Sequence, residues 1–334
     1  MRRTLLPLLL LLTLSSSYCR LSAAESPRFC ADCVRADEDF LASDELHGRG
    51  SATRDEHLAA LFAASLFQSF GLAPGGDNGS YLQKAPLPQP LPPRIAAFLS
   101  KFQDTPRTET WNAVAILPGS EAETRHEAIL LTAHLDHLGI GPAVNGDSIY
   151  NGADDDASGT TAVLELARVL AHGPRPRRTI IFALFGSEEL GGFGNAWFLA
   201  HPPVPLAQIV ANLEFEMIGR PDPATVPSTD FWLTGYGRSN LGPQLAKHGA
   251  RIAADPHPKE HFFRRSDNYA LARRGIIAQT VSSFNLHKDY HQPSDEIGKI
   301  DFPYMVSVIS SMQKPITWLA NTRWRPTWNS GGKP

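Results

Sequence analysis

Histidine and carboxylate residues recur in this sequence where apolar segments end. The segments are His134-Leu135-Asp136, the acidic run Asp154-Asp155-Asp156, Glu188-Glu189, Glu216 and, in a late loop, His291. Imidazole and carboxylate groups are ligands that suit zinc. Two metal ions in one hydrolytic site need a carboxylate with one oxygen for each ion, and further ligands on both sides. The set that meets this count is His134, Asp155, Glu189, Glu216 and His291.

A site of this composition would perform hydrolysis. A water molecule shared by two bound zinc ions ionises near neutral pH and can attack a polarised carbonyl group. Serine hydrolysis lacks support, because no Gly-x-Ser-x-Gly segment occurs and Ser158 lies at a predicted helix start. The residue types therefore indicate metal-dependent hydrolysis.

The segments that carry these residues are predicted to be strands that alternate with helices. Strands are predicted at 113–117, 128–133, 179–185, 209–215, 231–234 and 276–281, and helices at 162–171, 195–200 and 241–248. Strands that are apolar throughout are typical of a sheet buried on both faces. The pattern predicts an α/β fold, a three-layer sandwich with a mixed, mostly parallel central sheet. Such sheets bind ligands beyond the carboxyl ends of their strands, where the candidate residues lie.

The N-terminal part of the chain predicts export and a single domain. Arg2 and Arg3 precede an apolar run from Leu5 to Leu12, and small residues follow at 22–24. This is the pattern of a cleaved secretory signal peptide, predicted at 1–24, with one catalytic domain at 25–334. The mature protein is expected in the periplasm or outside the cell.

Two further N-terminal motifs carry structural predictions. Cys30 and Cys33 lack the two additional ligands of a zinc knuckle and the preceding strand of a thioredoxin-like site, so a local disulfide is predicted. Thr53-Arg54-Asp55-Glu56 has the form of a capping box and predicts a helix that Gly71 ends.

Composition argues against two classes of partner. The chain of 334 residues holds 31 Lys and Arg against 34 Asp and Glu, with a net charge of -3 and no run of like charges. A nucleic-acid partner is not expected, because phosphate binding needs a concentrated basic face. After the signal peptide, no run of about 18 apolar residues predicts a membrane segment.

Taken together, the motifs resemble the di-zinc aminopeptidase family of bacterial leucyl aminopeptidases, peptidase family M28, which is related to glutamate carboxypeptidase and the glutaminyl cyclases. The matching segments are His134-Leu135-Asp136, Gly152-Ala153-Asp154-Asp155-Asp156-Ala157-Ser158-Gly159, Ser187-Glu188-Glu189, Glu216-Met217-Ile218-Gly219 and Tyr290-His291-Gln292-Pro293-Ser294-Asp295. The resemblance implies the zinc-exopeptidase architecture, two Zn²⁺ ions, and a peptide or aminoacyl-amide substrate.

The resemblance also implies a role for each residue. His134, Glu189, Glu216 and His291 would be metal ligands, with Glu189 and Glu216 on different ions and Asp155 bridging the two ions. Asp136 would not bind metal but would hydrogen-bond an imidazole ligand, His134 in the first place, and fix its tautomer. Glu188 would be the general base. The order of Glu188 and Glu189 stays open at this point.

Other residues of the motifs receive different interpretations. Glu216 stands where the family usually has Asp, so its longer side chain requires a small shift, and Glu214 on the same strand face is an alternative ligand or a supporting group. His137 is out of phase with His134, which favours a structural or supporting role. Either Asp154 or Asp156 is expected to cap the helix that follows.

The predicted function is a secreted or periplasmic zinc-dependent aminopeptidase. Phe262, Phe263 and Phe284 line the pocket for the first substrate side chain in one interpretation and belong to the core in the other. The alternatives are a carboxypeptidase or cyclase of the same fold, and a binding ectodomain that has lost its metals. The complete ligand set argues against the binding ectodomain.

Overall fold

The computed structural model describes residues 29–103, 105–225 and 231–334. The predicted signal peptide lies outside the described residues. The single catalytic domain predicted at 25–334 stays a prediction.

Eight α-helices are present in the described part of the chain. They are α1 (Ala31–Leu41), α2 (Arg54–Ser69), α3 (Pro93–Leu99), α4 (Gly159–Ala171), α5 (Phe193–Ala200), α6 (Leu241–Lys247), α7 (Asn268–Arg273) and α8 (Phe302–Asn321). The described strands are β1 (Ala73–Pro74), β2 (Leu82–Pro86), β3 (Glu109–Leu117), β4 (Ala128–His134), β5 (Gly139–Val144), β6 (Asp147–Tyr150), β7 (Thr179–Phe185), β8 (Ile209–Phe215), β9 (Phe231–Leu233), β10 (Ile252–Ala254) and β11 (Ala278–Ser282).

Nine of these strands form one mixed sheet. Its order is β1-β3-β7-β4-β8-β11-β9-β10, with β2 paired to β3, while β5 and β6 form a separate hairpin. The four central strands β7, β4, β8 and β11 are parallel to one another. Antiparallel pairs lie toward both edges, at β3–β7 and at β11–β9. The prediction of a mixed sheet is confirmed, with its long parallel section confined to the centre, so the carboxyl ends of four neighbouring strands meet at one edge.

Helices cover both faces of the sheet, as predicted for a three-layer sandwich. Along β4, Ile129, Leu131 and Ala133 face a core built with α1, α2, α4, α6 and α8. Leu130, pointing the other way, packs in a second core with α5 and α7. The alternation follows from the two-residue period of a strand. Burial of both faces explains why β4 and β7 are almost entirely apolar.

The N-terminal motifs fold in different ways. Cys30 and Cys33 form the predicted disulfide, and the Cys30 sulfur accepts a hydrogen bond from the Cys33 backbone at the start of α1. Thr53 caps α2, because its hydroxyl accepts from the backbone N–H groups of Asp55 and Glu56. The capping box itself is not formed. The Glu56 carboxylate turns into the protein, where it accepts from Thr110 and Ser187.

Within the described ranges, none of the helices combines the length and the apolar composition that a membrane crossing requires, the 20-residue α8 included.

Candidate active site

The strand ends bring four of the candidate segments together. β4 ends at His134, Glu216 follows β8 directly, and the Glu188-Glu189 pair follows β7 after two residues. Because β4 lies between β7 and β8, these side chains reach a common point beyond the sheet edge. Ligand atoms of His134, Asp155 and Glu216 all lie within 4.8 Å of one another. Glu216 therefore joins the cluster despite its extra methylene.

Asp155 lies at the centre of the cluster. Its Oδ1 is 3.2 Å from His134 Nε2, and its Oδ2 is 3.2 Å from His291 Nε2. His291 Nε2 is also 3.2 Å from Glu189 Oε2. The carboxylate thus has one oxygen directed to each half of the cluster: a His134 half with His134 and Glu216, and a His291 half with Glu189 and His291.

His137 also belongs to the His291 half, which the sequence interpretation missed. Its Nδ1 is 3.0 Å from Glu189 Oε1 and 3.9 Å from Asp155 Oδ2, and the side chain is fully buried. The phase argument failed because β4 ends at His134. Beyond that point the chain pairs with an N-terminal segment, where His137 N–H donates to the Arg49 carbonyl and Ser51 N–H donates to the His137 carbonyl. No local signal in the sequence indicates this pairing.

The geometry of the cluster fits bound zinc. Two ligand atoms each about 2.0–2.1 Å from a tetrahedral zinc ion lie roughly 3.3 Å apart, close to the three contacts of 3.2 Å. Among the described residues, several buried atoms of the cluster, some of them in close contact with one another, form no hydrogen bond of normal geometry, namely Asp155 Oδ2, Glu189 Oε1, Glu216 Oε2 and both ring nitrogens of His137. Buried polar atoms rarely remain without partners. The cluster therefore supplies the ligand atoms of a cation site.

The two halves differ in their electrostatics. Burial and the neighbouring charge of Glu214 raise the pKa of Glu216 to about 8. Burial opposes ionisation of Glu189 as well, but the positive charge of His291 outweighs it and brings the pKa of Glu189 to about 2. Burial lowers the pKa of His291, but the carboxylates of Glu189 and Asp155 outweigh it and raise that pKa to about 10. Burial also lowers the pKa of His134, but Asp136 and Asp155 outweigh it and raise that pKa well above the ordinary value. Each half therefore holds a protonated imidazole, and the His134 half also holds the protonated carboxyl of Glu216.

The residues on either side of Asp155 hold the surrounding backbone. Asp156 accepts from the backbone N–H groups of His134, Gly159 and Met217, so it ties the ends of β4 and β8 to the start of α4. Asp156 thus accepts from the first residue of α4, although Ser158 occupies the cap position. Asp154 instead accepts from the backbone of Gly219 and from the His287 ring.

Asp136 acts on a different partner from the one predicted. Its carboxylate Oδ1 is 3.7 Å from His134 Nδ1, too far for a hydrogen bond, and the ring nitrogen contacts the Asp136 main-chain carbonyl at 3.1 Å. The carboxylate accepts from the backbone N–H groups of Glu188 and Glu189 at 2.9 and 3.3 Å, and from the Ser51 hydroxyl at 2.5 Å. Asp136 therefore links the end of β4 to the turn that carries the Glu188-Glu189 pair.

Glu56 supports the same turn from α2. It accepts from both the backbone N–H and the hydroxyl of Ser187, a residue with a positive φ of 55°. A left-handed backbone is costly for a residue other than glycine, so these two hydrogen bonds help to hold the turn. Glu188 lies next to it, and burial raises the pKa of its carboxyl well above the ordinary value.

Arg49 braces the loops behind the cluster. The side chain is fully buried and donates to the carbonyls of Leu41, Leu135, Asn151 and Gly152. It thereby joins the segment after β4 to the segment that leads to Asp155. No motif in the sequence indicated this role of Arg49.

The remaining predicted residues divide between a pocket and the core. Glu214 accepts from the backbone of Asn268 and the hydroxyl of Thr280, so it supports the site from behind. Phe262 and Phe284 line a pocket that adjoins Glu216, together with Met217, Trp232 and Tyr290. Phe263 packs in the core with α5 and α7.

Known proteins resemble this chain in sequence and in fold. A probable zinc metalloprotease of Leptosphaeria maculans is 38% identical over 269 residues, covering 69% of this chain, and the match spans only 58% of that relative's length. The structure of a zinc aminopeptidase from Bacillus subtilis superposes with a TM-score of 0.65 at 16% identity, covering 90% of this chain and 98% of the other. Glutaminyl cyclase from Porphyromonas gingivalis gives 0.62 at 17%, covering 86% and 98%.

The structural likenesses show a shared fold at low sequence identity. The sequence profile of peptidase family M28 matches residues 112–312, which include all seven site residues named from the sequence, from His134 to His291. The mixed sheet, the cluster at the carboxyl ends of its strands and this match lead to one conclusion: the chain belongs to peptidase family M28.

Proposed function

We propose that this protein is a zinc-dependent aminopeptidase that holds two zinc ions. The observation that carries the proposal is the position of Asp155, whose two carboxylate oxygens lie 3.2 Å from imidazoles on opposite sides. His134 and Glu216 would hold one ion, and Glu189 and His291 the other. His137 is a further candidate ligand in the second half, since its ring lies against Glu189.

Zinc ions bound in this cluster would polarise the scissile carbonyl and lower the pKa of the attacking water. Glu188 would accept the proton from that water and deliver it to the leaving amine, a role that suits a carboxyl whose pKa is raised by burial. Asp136 and Glu56 would keep Glu188 in position through the backbone of its turn.

The pocket beside Glu216 favours an apolar first residue. Its aromatic walls are Trp232, Phe262, Phe284 and Tyr290, and walls of this kind favour contact with an apolar side chain. An amino-terminal leucine or phenylalanine is the substrate that these walls favour.

Export to the periplasm or the cell exterior is part of the proposal. The signal-peptide pattern at the N-terminus supports it, and the Cys30–Cys33 disulfide is typical of an oxidising compartment.

Metal analysis and a substrate series test the proposal. The purified protein should carry close to two zinc ions per chain and release leucine from leucyl p-nitroanilide and from leucyl peptides, but not from their N-acetylated forms. Cleavage of N-acetylated peptides at the C-terminus would indicate a carboxypeptidase instead. Absence of zinc and of activity, even after zinc is added back, would favour a binding protein without catalysis.

The order of the two glutamates has its own test. Glu188→Gln should keep both zinc ions and lower kcat by about 10³-fold, because general-base catalysis is lost. Glu189→Gln is the matched control and should lower the zinc content as well. If Glu188→Gln is the variant that loses zinc, the two roles must be exchanged.

A further inference from the structure

A second cleft reaches the catalytic centre beside Glu188. It is open to solvent and has Glu188 and the Gly191-Gly192 turn in its wall. The two cavities share only Arg265 and Ser266. The aromatic pocket thus adjoins the proposed metal ligand Glu216, and the second cleft adjoins the proposed base Glu188.

The second cleft is lined by five arginines: Arg94, Arg264, Arg265, Arg273 and Arg274. The whole chain has a net charge of -3, so this is a local concentration of positive charge. Four of the arginines come from one stretch that ends at the carboxyl end of α7, while Arg94 lies on α3 across the cleft. We call this feature the arginine cleft.

The guanidinium groups of the arginine cleft are largely without protein partners. Arg265 forms an ion pair with Glu260 at 3.4 Å. In the described part of the chain, no ion pair involves Arg94, Arg264, Arg273 or Arg274, and all four are exposed.

Two carboxyl groups also line the arginine cleft, and neither neutralises these arginines. Glu188 lies at the catalytic end. Asp267 is buried, and its Oδ1 accepts from the side chain of Asn195. Like charges held close together without counter-charges repel one another, and a bound anion relieves that repulsion.

The position of Glu188 determines which part of a substrate reaches the arginine cleft. Under the proposed function, on which this step rests, Glu188 delivers a proton to the leaving amine. The leaving residue must then lie beside Glu188, with the first residue's side chain in the aromatic pocket. The continuation of the substrate beyond the scissile bond enters the arginine cleft.

We propose that the arginine cleft selects substrates whose leaving residue carries a carboxylate. The guanidinium group is the side chain best suited to a carboxylate, because its N–H groups can bind both oxygens. Two sources offer that chemistry at this distance from the scissile bond: an acidic side chain on the leaving residue, and the free C-terminus of a dipeptide.

Paired substrates separate the two sources and leave the chemistry of the scissile bond unchanged. Leucyl-glutamate amide and leucyl-glutamine amide differ only in the side-chain carboxylate. Leucyl-alanine and leucyl-alanine amide differ only in the terminal carboxylate. In at least one pair, the anionic member should have a kcat/KM about tenfold higher, as a charge-assisted interaction in a partly exposed cleft allows. The preference should shrink as sodium chloride is raised, because salt screens exposed charges.

Substitution of the arginines identifies the residues responsible. Arg264→Gln, Arg273→Gln and the double variant should each lower the ratio of kcat/KM between the two members of the pair, and the double variant should bring it near one. Arg323→Gln is the control, since Arg323 is an exposed arginine that pairs with Glu123 on the loop before β4, at the opposite end of that strand. It should leave the ratio as in the wild type. Competition by free glutamate amide against glutamine amide should show the same order without any turnover of the inhibitor.

The outcomes separate this inference from the proposed function. Cleavage of both neutral substrates, with no preference for the anionic member in either pair, would overturn the selection of a carboxylate and leave the aminopeptidase standing. A preference that survives in the double variant would equally overturn the role of these arginines. Failure of the zinc-loaded protein to cleave any of the four substrates would overturn both.

Discussion

The His134 half and the His291 half of the cluster are held by different kinds of structure. His134 and Glu216 lie at the ends of neighbouring parallel strands, and Asp156 ties those two strand ends together through three backbone hydrogen bonds. Glu189 lies on a turn, and His291 lies in a loop with a positive φ of 56° and a side chain that is 31% exposed. One half is built into the sheet, and the other is assembled from loops that the sheet only anchors.

The electrostatics follow the same division. The strand-borne half crowds carboxyls together. Burial and then the charge of Asp267 raise the pKa of Glu214 to about 7, and burial and then the charge of Glu214 raise the pKa of Glu216 to about 8. The loop-borne half places two imidazoles around Glu189, whose pKa is about 2. A half that is built on strand ends and rich in carboxyls, and a half that is built on loops around an ionised Glu189, should respond differently to substitution, pH and chelators.

Asp155→Asn should have the largest effect, because it removes the shared carboxylate from both halves. We expect loss of both zinc ions and a fall in kcat/KM on the order of 10⁴-fold. Zinc analysis and initial rates measure the two effects, and circular dichroism checks that the fold remains. Retention of one full zinc equivalent would mean that the halves are more independent than the central position of Asp155 suggests.

Stability of the zinc-free protein should fall as pH rises from about 5 to about 8. The pKa of Glu214 is about 7 in the folded protein, raised first by burial and then by Asp267, from an ordinary 4.5. Its protonated form is favoured by folding, so no cost arises below about pH 4.5, and stability is lost as pH rises through 7, by at most about 3 kcal/mol.

Glu214→Gln should flatten part of that dependence, because the amide oxygen can still accept from Asn268 and Thr280. Urea unfolding at a series of pH values in the presence of a chelator provides the measurement. An unchanged slope in the variant would show that Glu214 does not titrate in this range.

Single imidazole substitutions test the two halves separately. His134→Ala and His291→Ala should each lower the zinc content to about one ion per chain, with the remaining ion held by the other half. The ion that remains in His291→Ala, bound by the strand-borne half, should leave more slowly to a chelator, because its ligands are fixed by the sheet. If the ion left in His134→Ala is the slower one, loop mobility does not govern release.

His137 refines the same comparison. His137→Ala should weaken zinc binding only in the loop-borne half, by about 10–100-fold, if the ring binds or supports that ion. Competition with a chromophoric chelator gives the affinity. A variant with unchanged zinc affinity would leave the structural role, one of the two that the sequence suggested.

Glu56→Gln should have the smallest effect. The substitution weakens the hydrogen bonds that Ser187 donates, so the turn with Glu188 loosens while the zinc ligands stay in place. We expect both zinc ions to remain and kcat to fall about tenfold. Glu45→Gln, at an exposed glutamate near the start of α2, is the control. Loss of zinc in Glu56→Gln would show that Glu56 supports Glu189 more than Glu188.

What could be predicted from the sequence depends on the same difference between strand ends and loops. Apolar runs identify β4, β7 and β8, and the residues that follow them were found because a strand end leads directly to the edge of a parallel sheet. Glu216 was found in this way even though the family usually has Asp there. The supports of the site were not found, because they depend on distant segments. Glu56 had the pattern of a capping residue, but tertiary contacts bury its carboxylate beside Ser187 and Thr110.

Arg49 has a consequence for how the chain is made. Its four carbonyl acceptors extend from Leu41 to Gly152, and it precedes the residues 112–312 matched by the family profile. As the protein leaves the ribosome, this guanidinium emerges about a hundred residues before its last acceptor. It must stay hydrated until β4 and the loop to Asp155 have followed. The N-terminal segment therefore completes its hydrogen bonds to the catalytic centre late, although it is synthesised before the strands that carry the centre.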